Sequence, residues 1–240
     1  MKKLLLLCVT LLAFSTSKLL SQDAGFYFGP KAGLTIGMQN WNQSERDPLL
    51  SYHGALFMES IDTDYRGSLF AQIGYHTRGS SIRVFNINNG IAFNDGYKFR
   101  NLSLMLGAKK RIRTEKFSVP YYFFGVRLEY NVSNNLEDIQ ERFALSPSVA
   151  FYPTPFFVNK WVYGASIGGG IEFLGSAYVQ PTIEFTISPD LSFQYNSPVI
   201  PNVVSPFNGQ LISIPERTIR NVTFEVSFVV RFLREVIYID

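Results

Sequence analysis

Alternation of apolar and polar residues with period two, held over long segments and recurring along the chain, limits the possible folds most. The stretch "RNVTFEVSFVVRFL" (220–233) shows it: Val222, Phe224, Val226, Phe228, Val230 and Phe232 form one row. Asn221, Thr223, Glu225, Ser227, Val229 and Arg231 form the other. Alternate side chains of a strand point to opposite faces, so this is a strand with one greasy face and one polar face.

Seven further segments repeat the pattern at 25–39, 50–60, 67–79, 97–110, 117–131, 160–173 and 176–188. In "GFYFGPKAGLTIGMQ" the row Phe26, Phe28, Pro30, Ala32, Leu34, Ile36, Met38 opposes Gly29, Lys31, Gly33, Thr35 and Gly37. The 50–60 segment is the weakest, setting Tyr52, Leu56 and Met58 against His53, Phe57 and Glu59. Each segment is long enough to cross a bilayer at a tilt, which takes about nine to eleven residues. No apolar run after residue 22 has the length of a transmembrane helix.

The links alternate in length. Three are short: "DTDYRG", "RTEK" and "LGS". Those at 40–49, 80–96, 132–159 and 189–219 are long and rich in Asn, Pro and Ser, with "SNNLEDIQERFAL" able to form a helical turn over one end. Short turns on one side and long loops on the other describe an eight-stranded antiparallel up-and-down transmembrane β-barrel, with periplasmic turns and extracellular loops. In hydrocarbon an open sheet edge would strand backbone donors and acceptors, so the last strand must pair with the first.

A soluble, lipocalin-like ligand-binding barrel would turn the same apolar row inward. Three features favour the membrane arrangement. The polar rows are rich in Gly (29, 33, 37, 74, 107, 125, 164, 168, 170), which a narrow interior needs and a wetted surface does not. Aromatic residues sit at the row ends, Trp161 with Phe173 and Tyr130 with Tyr122, as interfacial girdles do. The polar rows are also poor in Lys and Glu for a soluble exterior.

The expected lumenal charges are Lys31, Glu59, Arg78, Lys109, Arg127, Glu129, Glu172, Glu184, Glu225 and Arg231. Charges confined in a narrow lumen must pair, so the reading is a structural ion-pair network. Glu225 and Arg231 are placed to meet charges such as Lys31 on the neighbouring first strand. With His53 and His76 as the only histidines, a three-histidine metal site is excluded, and neither metal nor cofactor is expected. An outer-membrane enzyme acting on lipid or peptide at the rim would need one of these histidines beside a hydroxyl and a carboxylate. His76 is expected near the extracellular end of the third strand, close to Arg78, Ser80 and Ser81; no G-x-S-x-G motif accompanies it, and the chain is read as non-enzymatic. Loop aromatics Phe85, Phe93, Phe143, Phe156, Phe157 and Phe207 are the candidate interaction surface.

Residues 1–21 read as a secretory signal peptide: Lys2 and Lys3, an apolar run from Leu4 to Phe14, then small polar residues before Gln22. Cys8, the single cysteine, lies inside the apolar run rather than at its end, which argues against a lipoprotein signal. Residues 22–240 then form one barrel domain without disulfides. The leader's Lys2, Lys3 and Lys18 account for the whole net charge of +3, so the basic balance implies no nucleic-acid partner.

With "FGPKAGLTIG", "FAQIGYHTRGS", "LSLMLGAKKRI", "PYYFFGVRLEYNV" and the closing strand in place, the mature chain resembles the PorT-like outer-membrane β-barrel proteins of Bacteroidota. That resemblance implies the outer membrane of a Gram-negative bacterium and a structural or accessory role. Its partners would be outer-membrane lipid and other outer-membrane or secretion-system proteins.

Overall fold

The computed structural model describes residues 25–42, 47–60, 67–86, 91–112, 117–142, 144–145, 151–174 and 179–235, the side chains of 82–86, 91–95 and 235 excepted. The leader lies outside them. Seven strands follow one another as a meander: β1 (Gly25–Trp41), β2 (Asp47–Ser60), β3 (Gly67–Asn86), β4 (Ile91–Arg111), β5 (Ser118–Asn134), β6 (Trp161–Phe173) and β7 (Val179–Pro189). After β6 and β7 the chain forms three short strands, β8 (Tyr195–Ser197), β9 (Ile200–Val204) and β10 (Leu211–Ile214). The final strand, β11 (Arg217–Glu235), pairs antiparallel with both β7 and β1 and closes the sheet. The result is an eight-stranded ring of β1–β7 and β11, with β8 appended to β11 and β9–β10 as a separate hairpin.

The seam runs from Phe28 opposite Phe232, through Leu34 opposite Val226, to Trp41 opposite Ile219. Around the ring the apolar rows face outward. Leu34, Tyr52, Leu69, Leu104, Phe124, Tyr163, Phe185 and Phe228 are all exposed large hydrophobics. A soluble barrel would not leave such a belt in water, because apolar area on this scale is excluded from water. This exterior is what a membrane-spanning barrel offers to lipid, with Tyr130 against Trp161 (centroids 4.9 Å) at one edge of the belt. No described helix is long and apolar enough to cross a membrane; the strands make the crossing.

Two expected loops are shorter than the sequence pattern suggests. The segment 80–96 is largely strand: β3 and β4 remain paired out to Asn86 opposite Ile91. At 20 and 21 residues these two strands are about twice the length a crossing needs, so their ends project beyond the belt. The 40–49 link shrinks in the same way, since β1 runs to Trp41 and β2 starts at Asp47. Backbone pairing carries β3–β4 through Ser-, Asn- and Gly-rich sequence where side-chain alternation fades, while beyond Gly37 and Leu49 the ends of β1 and β2 pair with β11 and β3.

At that end a second core closes the mouth. Helix α1 (Leu136–Arg142) puts Leu136 and Ile139 against Trp41, Tyr97, Phe99, Tyr195 and Ile219. Tyr152, Phe157 and Val158 pack on the same cluster. Asn135 fastens the helix start, accepting from the Lys98 amide at 2.7 Å and donating to the Gly96 carbonyl at 2.8 Å.

Candidate functional site

The lumen is the only place where the fold concentrates chemistry among the described residues. The inward row of each strand is buried, and all ten expected charged residues project into it, nine fully buried and Glu184 nearly so. Two residues that the sequence reading left out join them. Arg111 continues the inward phase of Lys109, and Asp190 continues that of Gln180, Thr182, Glu184, Thr186 and Ser188. Extending each strand by one more alternate position would have found both.

These groups separate into two layers along the barrel. Toward the capped mouth, Arg78 donates through Nε to both oxygens of Glu129 (2.9 and 3.0 Å). It also reaches Thr223, and lies 3.8 Å from Glu225. Arg127 stands between Glu129 (2.9 Å) and Asp190. Asn101 donates to Glu129 at 2.8 Å and Asn221 to Asp190 at 2.7 Å, so amides occupy the remaining acceptor positions. Toward the other end, Lys109, Arg111 and Arg231 share Glu59 and Glu172, with Lys109–Glu172 at 2.6 Å and Arg231–Glu172 at 2.7 Å.

Lys31 pairs with Glu184, which also accepts from the Tyr121 hydroxyl at 2.6 Å. The expected pairing of Lys31 with Glu225 or Arg231 is not formed. Register places Lys31 opposite Val229, whose short side chain lets the lysine pass across β11 to β7. Glu225 is held instead by His76 and Arg78, while Arg231 carries the same sign as Lys31.

His53 and His76 face each other across β2 and β3, with rings parallel at 5.3 Å. His76 Nδ1 lies 2.9 Å from Glu225, while His53 Nδ1 and Nε2 lie 2.9 Å from Thr35 Oγ1 and 3.0 Å from Ser227 Oγ. Gly33 sits between His53 and Ser227 in register, leaving room for that contact. The expectation that His76 lies near the strand end is corrected: β3 continues ten residues past it, so both imidazoles are deep in the lumen. His53, His76 and Glu225 present ligand-type atoms within 4.8 Å of one another, a donor set that counting histidines alone does not reveal. Each of these groups already has protein hydrogen-bond partners.

A lumenal aromatic cluster was also missed. Tyr121, Phe123, Met105 and Phe70 pack together on the inward face, with Phe70 and Phe123 edge to face at 5.6 Å. Each ring stands opposite a glycine: Phe70 faces Gly107, Phe123 faces Gly168 and Tyr121 faces Gly170. A Cβ on Gly168 would come within 2.6 Å of the Phe123 ring, and one on Gly170 within 2.7 Å of the Tyr121 hydroxyl. The inward glycines were the available signal, because an empty place across a strand pair is where a large neighbour leans.

The loop aromatics divide. Phe156 is 87% and Phe207 68% exposed, and Phe207 stacks parallel on Phe151 at 6.2 Å. Phe157 is corrected: it packs edge-on against Tyr195 in the cap and is not free surface. Phe143 and the side chains of Phe85 and Phe93 lie outside the described residues.

No family model matches the chain, and no curated protein matches it. Among solved structures it is similar to Neisserial surface protein A, at 11% identity over 86% of this chain and 96% of that one, with a TM-score of 0.45. OprG, an outer membrane protein of Pseudomonas aeruginosa, aligns at 9% identity over 88% and 98%, with a TM-score of 0.45. The outer membrane protease OmpT of Escherichia coli aligns at 11% identity over 91% and 100%, with a TM-score of 0.35.

Proposed function

We propose that this chain is a non-enzymatic, PorT-like outer-membrane β-barrel protein of a Gram-negative bacterium. It is held by its apolar belt, closed to conduction, and works through the loops above its capped mouth. The observation that carries this reading is the filling of the lumen. Two layers of paired charges and an aromatic cluster occupy the interior, and a hydrophobic core seals one end. An interior so occupied gives no continuous water path, which fits a ring of only eight strands. What remains to act is the outer end, where Phe156, Phe207, Val204 and Leu211 are exposed. Such residues suit contact with another envelope or secretion protein.

The arrangement of the histidines weighs against the enzymatic alternative. The hydroxyl contact belongs to His53 and the carboxylate contact to His76, so no single imidazole links a nucleophile to an orienting acid. Both rings are 3% exposed, leaving no approach for a lipid or peptide.

Photo-crosslinking amino acids placed at Phe156 and Phe207 in intact cells test the working surface. A discrete protein adduct from either position is expected. Adducts from neither, in a chain that fractionates with the outer membrane and shifts on a gel when heated, would overturn the interaction role.

A further inference from the structure

The layer of charge farther from the cap does not balance on its own; it matches only when the layer toward the cap, with Arg78 and Arg127 against Glu129, Glu225 and Asp190, is counted with it. Lys31, Lys109, Arg111 and Arg231 contribute four cations, and their ion-pair partners among the described residues are three carboxylates, Glu59, Glu172 and Glu184. A buried charge without a counter-charge is costly, and neighbouring amides only soften the cost. Gln180 is such a neighbour, accepting from Arg231 Nη1 at 3.0 Å without neutralising it.

The imbalance lies beside a cavity of about 30 Å³, bordered by Lys31, Lys109, Tyr121, Thr182, Glu184 and Arg231. Two of these have polar atoms without a hydrogen-bond partner: Thr182 Oγ1 and Arg231 Nε, on residues each 1% exposed. The guanidinium N–H can only donate, and the hydroxyl can donate as well as accept, so an acceptor placed in the cavity would serve both. A second carboxylate, Glu59, also lines it, and Gln72, Val229 and the rings of Phe57, Phe70 and Phe123 complete the wall. A water needs about 10–15 Å³ measured this way, so the cavity has room for about two or three water-sized guests. Water would satisfy the donors but add no negative charge to this layer.

We propose that this cavity is a binding site for a small monovalent anion, a halide or a carboxylate of similar girth. Thr182 and Arg231 donate to it, and it brings this layer to four negative charges against four positive ones. The bound ion would complete the ionic layer, and no transport step is implied.

Crystals of the full barrel in detergent, soaked in sodium bromide and measured at the bromine absorption edge, test the site. An anomalous peak is expected inside the cavity, between Thr182 and Arg231. It should be lost in Arg231→Gln, where three cations meet three carboxylates. Thr182→Val keeps the charge and should weaken the peak; Lys109→Met serves in place of Arg231→Gln should that variant fail to fold. Bromide seen on the surface but not in the cavity would overturn the proposal, as would a cavity peak unchanged in the charge-balanced variant. The heat-induced gel shift of the same preparations reports separately on the folded barrel.

Discussion

At the residue scale, the interior depends on complementary pairs across strands. Gly168 has no room for a methyl group: its Cβ would lie 2.4 Å from the Phe185 carbonyl oxygen and 2.6 Å from the Phe123 ring. Gly168→Ala should therefore destabilise the barrel by about 1–3 kcal/mol in urea unfolding from phospholipid vesicles. Phe123→Leu in the same chain should recover only part of this, because the backbone clash remains. Arg78 presents the electrostatic counterpart. It is fully buried between Glu129 and Glu225, so Arg78→Leu removes the cation these two carboxylates share. A loss of about 3–5 kcal/mol is expected by the same measurement, and a change below 1 kcal/mol would mean the network is not coupled to folding. Which residues face inward was legible from alternation alone, because a strand's phase persists over its whole length. Partners were not. Lys31 meeting Glu184, and His76 meeting Glu225, depend on register and strand tilt, which alternation leaves free.

At the element scale, the expected and observed strands agree within the belt and diverge above it. From Gly67 to Gly79, outward Leu69, Ala71, Ile73 and Tyr75 keep an unmistakable period, because lipid demands it. Past Gly79 the side chains of Ser80 and Ser81 are both buried, and backbone pairing carries the hairpin on to Asn86. The cap shows the reverse case. "LEDIQER" is too short to read as a stable helix by itself, and tertiary packing of Leu136 and Ile139 fixes it. Leu136→Ala should open the mouth without melting the ring. Hydrogen exchange is expected to accelerate in α1 and around Ile219, while the β1–β11 seam keeps its protection. Unchanged exchange in α1 would show that the cap does not depend on this core.

At the scale of the whole molecule, the same alternating pattern serves two solvents at once. Lipid takes the outer row, while the inner row fills itself with ion pairs, amides and rings. Closure follows from the same requirement, since β11 pairs with β7 on one side and β1 on the other and leaves no edge in the ring. The closing strand is where the account can be tested most directly, because Val222 to Phe228 passes through the belt with alternating burial. Cys8 is the only cysteine, so a chain without the leader accepts single-cysteine nitroxide labels from 222 to 228 without background. Accessibility to oxygen, which enriches in lipid, and to a water-soluble nickel chelate should be measured in vesicles. Labels at 224, 226 and 228 are predicted to be open to oxygen and closed to nickel, and those at 223, 225 and 227 closed to both. The opposite phase, or nickel access at 226, would contradict a lipid-facing apolar row around an ion-paired interior.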